Sequence, residues 1–216
     1  DWLTYPAGIE AQRVSGKPLL VHVHATEYDR SGAGKVNPRV YAIEKHGMDM
    51  ADGIVCVSQW TKNILVEKYK QNPQKISVVH NGIDNVFVSK PTAPKVYPKQ
   101  VTFLGRITHQ KGPEYFVEAA AKVLQKDGDV HFVIAGSGDM LHGIIERVVR
   151  MGLSSRFHFT GFLKGAVVER LLKISDVYVM PSVSEPFGIS ALEAVGCHVP
   201  VVISRQSGVS EVVDNA

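Results

Sequence analysis

The 216-residue chain carries 24 Lys and Arg against 21 Asp and Glu, a formal net charge of +3 at pH 7, with 44% apolar and 21% charged residues. This composition argues for a packed globular protein and against a disordered or nucleic-acid-binding one, because no basic block interleaved with aromatics occurs. Two cysteines far apart, Cys56 and Cys197, exclude a disulfide framework or structural zinc site, and no run reaches the roughly 18 apolar residues of a membrane-spanning helix.

The small basic excess suits an anionic ligand or peripheral attachment to acidic lipid headgroups. The opening Asp-Trp-Leu-Thr-Tyr-Pro has no signal-peptide layout, which gives the expectation of a cytoplasmic protein. The missing initiator Met and the polar end at 211–216 give the further expectation of a fragment.

Apolar runs rich in Val and Ile lie at 19–24, 54–57, 76–80, 101–104, 130–135, 157–160, 177–180 and 199–203. Continuous runs of this length, rather than alternating ones, suit strands buried on both faces of a parallel sheet. Between them, helical patterns cover 60–69, with Ser58 as N-cap, and 113–125, with Pro113 in the first turn; others cover 141–150, 166–174 and 189–195. Strand and helix alternate as in βαβ units of a doubly wound α/β sheet. The rhythm breaks at 88–98, where three prolines stand among polar residues without a period. This stretch reads as a linker between two α/β domains, 1–90 and 99–216, facing across a cleft.

Three constellations follow predicted strands. In the first, Gly105-Arg106-Ile107-Thr108-His109-Gln110-Lys111-Gly112, glycine permits a tight turn and close approach to a ligand; Arg106 offers a planar fork and Lys111 a mobile point charge for a diphosphate. The second, Gly136-Ser137-Gly138-Asp139, resembles part of a dinucleotide fingerprint, and tight strand-to-helix turning accounts for it equally well. The third runs Ser184-Glu185-Pro186-Phe187-Gly188-Ile189-Ser190-Ala191-Leu192-Glu193. Here two carboxylates at different depths could accept hydroxyls from two parts of one ligand, while Gly188 and Ile189 open a helix whose first amides face an anion.

The Glu185-Pro-Phe-Gly-Ile core, with seven residues between Glu185 and Glu193, resembles the glutamate motif of retaining glycosyltransferases of family 4, the glycosyl transferases group 1. Gly105-Arg106 with Lys111-Gly112 is similar to that family's phosphate-binding segment, and 79–84, 159–162 and 207–211 agree with further family segments. The resemblance covers nearly the whole chain. It implies the GT-B fold, two Rossmann-like domains, both incomplete here because family members run beyond each end. It also implies that Arg106, Lys111, Gly188 and Ile189 bind the donor diphosphate, Glu193 the ribose, and Glu185 the transferred sugar, with Phe162 and Leu163 near the base. His24, matched over His22, would reach the donor sugar from the first domain. One departure stands out: Arg205-Gln206-Ser207-Gly208 has a single glycine where many members have two.

The implied reaction moves a hexose from a nucleoside-diphosphate sugar to a saccharide, lipid or small-molecule acceptor hydroxyl with retention of anomeric configuration, as in carbohydrate biosynthesis. Two cations and helix amides would stabilise the leaving diphosphate, so neither a metal ion nor another cofactor is expected. Rival readings are a nucleotide-sugar epimerase or hydrolase on the same fold, and a non-catalytic nucleotide-sugar-binding domain.

Overall fold

The computed structural model describes residues 2–32, 34–83 and 94–213. Contacts divide the chain into two units, one taking Asp1–Asn81, Ser184–Phe187 and Gln206–Ala216, the other Gly82–Val183 and Gly188–Arg205. The first unit therefore draws on three separate stretches of sequence. Of the linker expected at 88–98, residues 88–93 lie outside the described residues; beyond them, Tyr97 stacks on His131 at a ring separation of 4.1 Å.

The first unit runs α1 (Tyr5–Ser15), β1 (Leu20–Val23), α2 (Glu27–Arg30), α3 (Pro38–Met50), β2 (Gly53–Cys56), α4 (Gln59–Glu67) and β3 (Ile76–Val78). Its strands pair in parallel in the order β1-β2-β3. Val21, Val23, Ile54, Cys56 and Ile76 from the strands pack with Met48, Leu65 and Tyr69 into one core. Helix α4 starts where its sequence indicates: the Ser58 hydroxyl accepts the Thr61 amide at 3.0 Å, satisfying one of the donors a helix leaves open at its start.

Helices α1 and α3 have no counterpart among the sequence patterns. The buried face of α3 consists of Glu44, Gly47 and Met48, and the only side chain that α1 buries is Tyr5. Neither face is apolar enough to announce a helical period. Glu44 is held instead by polar contacts, accepting the Glu27 amide, the Arg30 guanidinium and the Tyr69 hydroxyl.

The second unit runs β4 (Lys99–Leu104), α5 (Pro113–Leu124), β5 (Val130–Ala135), α6 (Leu141–Arg150), β6 (Phe157–Gly161), α7 (Ala166–Lys173), β7 (Val177–Met180), α8 (Ile189–Gly196) and β8 (Val201–Ile203). All five strands are parallel, in the order β6-β5-β4-β7-β8. Alternate residues of β5 serve opposite faces. Phe132 and Ile134 join Phe116 and Val117 of α5 and Ile144 and Val148 of α6, whereas Val133 and Ala135 meet Leu171 of α7. Burial on both sides explains why the sequence shows a continuous apolar run there.

From β4 the chain steps outward through β5 and β6, then returns to the other side of β4 with β7 and β8. The order therefore reverses between β4 and β7. In open α/β sheets such a switch point, at the carboxyl ends of the strands, is where loops part and ligands bind.

Candidate functional site

At the carboxyl end of β4, two glycine loops lie backbone to backbone. The Gly105 amide donates to Ala135 O at 3.0 Å, Ile107 N to Ser137 O at 2.9 Å, Met140 N to Ile107 O at 3.1 Å and Gly136 N to Gly161 O at 2.8 Å. Gly136 adopts φ +147°, and a Cβ there would overlap the carbonyl oxygen of Gly105. The glycines of the second loop thus answer to contact with the first loop as well as to a tight turn. Gly105 itself has no positive φ, and a Cβ there would find its nearest neighbours, Cγ and Cδ of Lys111, at 4.0 Å. The turn after β4 therefore does not itself require glycine.

Arg106 is exposed on this frame, its Nη2 donating to Oε1 of Gln110 at 3.2 Å, and buried Gln110 accepts the Val183 amide on its carbonyl at 2.9 Å. Lys111 closes a 3-10 turn, His109–Lys111, with its stem beside Gly105. The next residue, Gly112, has φ +65° and packs against the Pro181 carbonyl so closely that a Cβ would collide. Helix α5 then starts at Pro113, where a missing N–H costs nothing.

Helix α8 opens after Gly188 with no side-chain cap, leaving its first amides to other partners; Ile189 is 44% exposed and Glu193 lies one turn in. Burial pushes the Glu193 carboxyl above its ordinary value. A cavity of about 590 Å³ is lined by Leu104, Gly105, Gly165, Ile189, Ser190 and Glu193. A second, of about 370 Å³, shares Leu104, Gly105 and Leu163 with it and adds Arg106, Ser137 and Phe162. Phe162 is 72% exposed.

Of the candidate residues in this unit, Arg106, Phe162, Leu163, Ile189 and Glu193 therefore line two cavities with shared walls, while Gly188 caps α8 and Lys111 flanks Gly105. Sequence reasoning missed Ser190 and Tyr178, whose hydroxyls lie 2.7 Å apart, Tyr178 also donating to Leu104 O at 3.2 Å. Spaced 12 apart on different elements, they left no local pattern.

The remaining candidates, His24 and Glu185, lie in the first unit. His24 follows β1 with its ring 4.1 Å from that of His22; partial burial, and next the His22 charge, hold its pKa below the usual histidine value. Two residues on, Thr26 caps α2 in a reciprocal capping box with Asp29. Glu185 is only 5% exposed; its amide donates to Gln206 O at 2.8 Å and its carbonyl accepts Gly208 N at 3.0 Å. A β-bridge joins Glu185 to Ser207, and the single glycine at 208 lies so close to the Pro186 carbonyl and Ser58 that a Cβ there would collide. The neighbouring Pro186 carbonyl accepts the Ser58 hydroxyl at 2.5 Å. Glu211 accepts the Gln59 and Trp60 amides, each at 2.8 Å, and contacts His80 Nε2 at 3.0 Å, so it anchors the start of α4. Among the described residues, no group of three or more His, Cys, Asp or Glu is placed to hold a metal ion, and no helix is long and apolar enough to cross a membrane.

The family model described as glycosyl transferases group 1 matches residues 87–216, and that of glycosyltransferase family 4 matches residues 1–86. The chain belongs to the glycosyl transferases group 1. An uncharacterized glycosyltransferase of Methanocaldococcus jannaschii is 30% identical, over 99% of this chain and 58% of its own length. The 2-deoxystreptamine glucosyltransferase of Streptomyces kanamyceticus is also 30% identical, over 96% of this chain and 58% of its own. The chain thus spans less than two thirds of the length of these curated relatives. Among solved structures, the Anabaena protein HepE in complex with UDP and glucose superposes with a TM-score of 0.82 at 20% identity, over 100% of this chain and 60% of that one. That likeness gives the group 1 chain the α/β GT-B fold, with parallel sheets.

Proposed function

We propose that this chain belongs to a glycosyltransferase that moves a hexose from a nucleoside-diphosphate sugar to an acceptor hydroxyl with retention of anomeric configuration. The observation that carries the proposal is the pair of adjoining cavities at the β4 switch point, walled by Arg106, Glu193 and the start of α8. That wall offers an anion a guanidinium and backbone amides, and offers hydroxyls a carboxylate, the chemistry a sugar nucleotide needs. The kinship to a glucosyltransferase and the likeness to a structure holding UDP and glucose support the same reading.

In this assignment Arg106, Lys111 and the amides at Gly188 and Ile189 hold the diphosphate, Glu193 takes the ribose hydroxyls, and exposed Phe162 with Leu163 flanks the base. Residues 99–216 supply most of the donor site and 1–90 the acceptor side, with Glu185 and His24 at the transferred sugar. The bond from the anomeric carbon to the diphosphate oxygen breaks as the bond to the acceptor oxygen forms. The acceptor's proton leaves with the diphosphate. Negative charge grows on the leaving group, so fixed cations and amides, which need no reorganisation, lower that barrier without a divalent ion.

The test uses the full-length protein. Thermal shifts with UDP-, GDP- and ADP-sugars identify the donor, since a ligand that binds only the folded state raises apparent stability. With that donor's nucleoside diphosphate, calorimetry on Arg106→Ala and Lys111→Ala should show affinity losses of about tenfold each, roughly one charge-assisted hydrogen bond, at unchanged melting temperature. Undiminished affinity in both variants overturns the assignment. Sugar release without any acceptor would turn the reading towards a hydrolase.

A further inference from the structure

Within the first unit, the side chain of Asp29 links two segments that the sequence keeps far apart. Its Oδ2 accepts the amide and the hydroxyl of Thr26, both at 2.8 Å, two residues beyond His24. Its Oδ1 accepts the hydroxyl of Ser184 at 2.7 Å, 155 residues away and adjacent to Glu185. Asp29, Thr26 and Ser184 are all buried, Asp29 and Thr26 completely. A carboxylate removed from water is costly unless its oxygens are satisfied, and here each oxygen has a donor. A buried acid whose two oxygens are divided between two loops fixes the spacing of those loops more tightly than apolar packing does, because its hydrogen bonds are directional.

We propose that Asp29 is a positioning residue for sugar transfer: by holding Thr26 on one oxygen and Ser184 on the other, it sets the segment bearing Glu185 in register with the segment bearing His24. The proposal rests on the assignment of Glu185 to the transferred sugar. Asp29 needs no contact with the ligand. Its effect passes through the Ser184 backbone to the next residue, whose own backbone is already fixed by Gln206 and Gly208. What Ser184 adds is an anchor on the other flank of Glu185. Thr26 matters as much, since its hydroxyl both donates to Asp29 and receives the Asp29 amide at 3.4 Å, closing the box that starts α2.

The test is a kinetic cycle in the full-length protein with Ser184→Ala, Glu185→Ala and the double variant. Ser184→Ala breaks the link yet keeps Asp29 and its Thr26 bonds, which avoids the folding defect that Asp29→Ala invites. The expected result is a fall in kcat of about tenfold, the scale of a small misplacement at a reacting centre, with KM for the sugar nucleotide within about twofold of the parent. In the Glu185→Ala background the same substitution should cost nothing more, because the group it positions is gone. A Ser184→Ala enzyme with parental kcat, or an equal loss in both backgrounds, overturns the positioning role while leaving the Glu185 assignment intact if Glu185→Ala alone is slow. Parental turnover in Glu185→Ala removes that assignment and the positioning role together.

Discussion

Replacing Gly136 with Ala should unfold the frame of the loops after β4 and β5 more readily than any other single methyl added to a glycine in the second unit. Gly136 sits at φ +147°, a region nearly closed to residues with a Cβ, and the new methyl would overlap the Gly105 carbonyl oxygen. Backbone strain of that kind costs about 1–3 kcal/mol. To relieve the overlap, the loops after β4 and β5 must part, straining the Gly136 to Gly161 and Gly105 to Ala135 bonds, each worth about 1 kcal/mol. The total, about 3–5 kcal/mol, corresponds to a fall of roughly 6–20 °C in melting temperature for a chain of this size. Gly143, inside α6, is the control: nothing lies within 4 Å of its Cβ position and its φ is ordinary, so Gly143→Ala should stabilise by about 0.5–1 kcal/mol. Gly105→Ala falls between, with room for its methyl and no strain; its melting temperature should match the parent while nucleoside-diphosphate affinity drops, because Gly105 lines both cavities. Scanning calorimetry on the full-length protein reads all three. A Gly136→Ala protein that melts with the parent would refute the claim that the two loops are packed backbone to backbone.

Ser58→Ala should cost about 1–2 kcal/mol, since one hydroxyl both caps α4 through Thr61 N and satisfies the Pro186 carbonyl; denaturant melts that show no change in midpoint would contradict the shared role. Glu193 gives a pH-dependent prediction. Its carboxyl pKa is raised by burial, so as pH climbs from the unfolded value through the folded one, the native state alone still holds a proton and stability is progressively lost. Glu193→Gln removes that loss, and its melting temperature should exceed the parent's near pH 7.5 but converge with it near about pH 3, below the ordinary glutamate value. A gap of equal size at both values would show that desolvation of the charge is not its source.

The strands were legible because a parallel sheet covered on both faces needs unbroken apolar runs, and the observed β5 and β7 coincide with those runs to the residue. Helices α5 to α8 were legible for the complementary reason, each carrying an apolar stripe, as with Phe116, Val117 and Ala120 on α5. Helix α3 was not, since a buried Glu satisfied by Tyr69 and Arg30 looks like a surface acid until its partners, 25 and 14 residues away, are placed beside it. The same holds at the site. Gly136 was visible as a turn residue, but the carbonyl that forbids a side chain there belongs to a loop on the neighbouring strand. The 79–84 and 207–211 segments could each be matched to the family, yet the contact between His80 and Glu211, 131 residues apart, has no local signature. Local chemistry is written in the sequence, whereas long-range polar pairing is not, because any exposed acid and base can look alike before folding.

This division bears on how a group 1 chain can change its ligand without losing its fold. The loops after β4 and β5 are tied by bonds between backbone atoms, Ile107 N to Ser137 O and Met140 N to Ile107 O, which no ordinary side-chain substitution removes. Arg106, Ser137 and Phe162 project from this frame into solvent. Their replacement alters charge and shape along the smaller cavity but deprives the core of little buried area, so it should fall within the about 0.5 kcal/mol typical of surface changes. The frame of these loops therefore rests on glycines and backbone bonds, and in the proposed assignment specificity rests on side chains that the frame holds out, the arrangement by which one scaffold can carry sites of different chemistry.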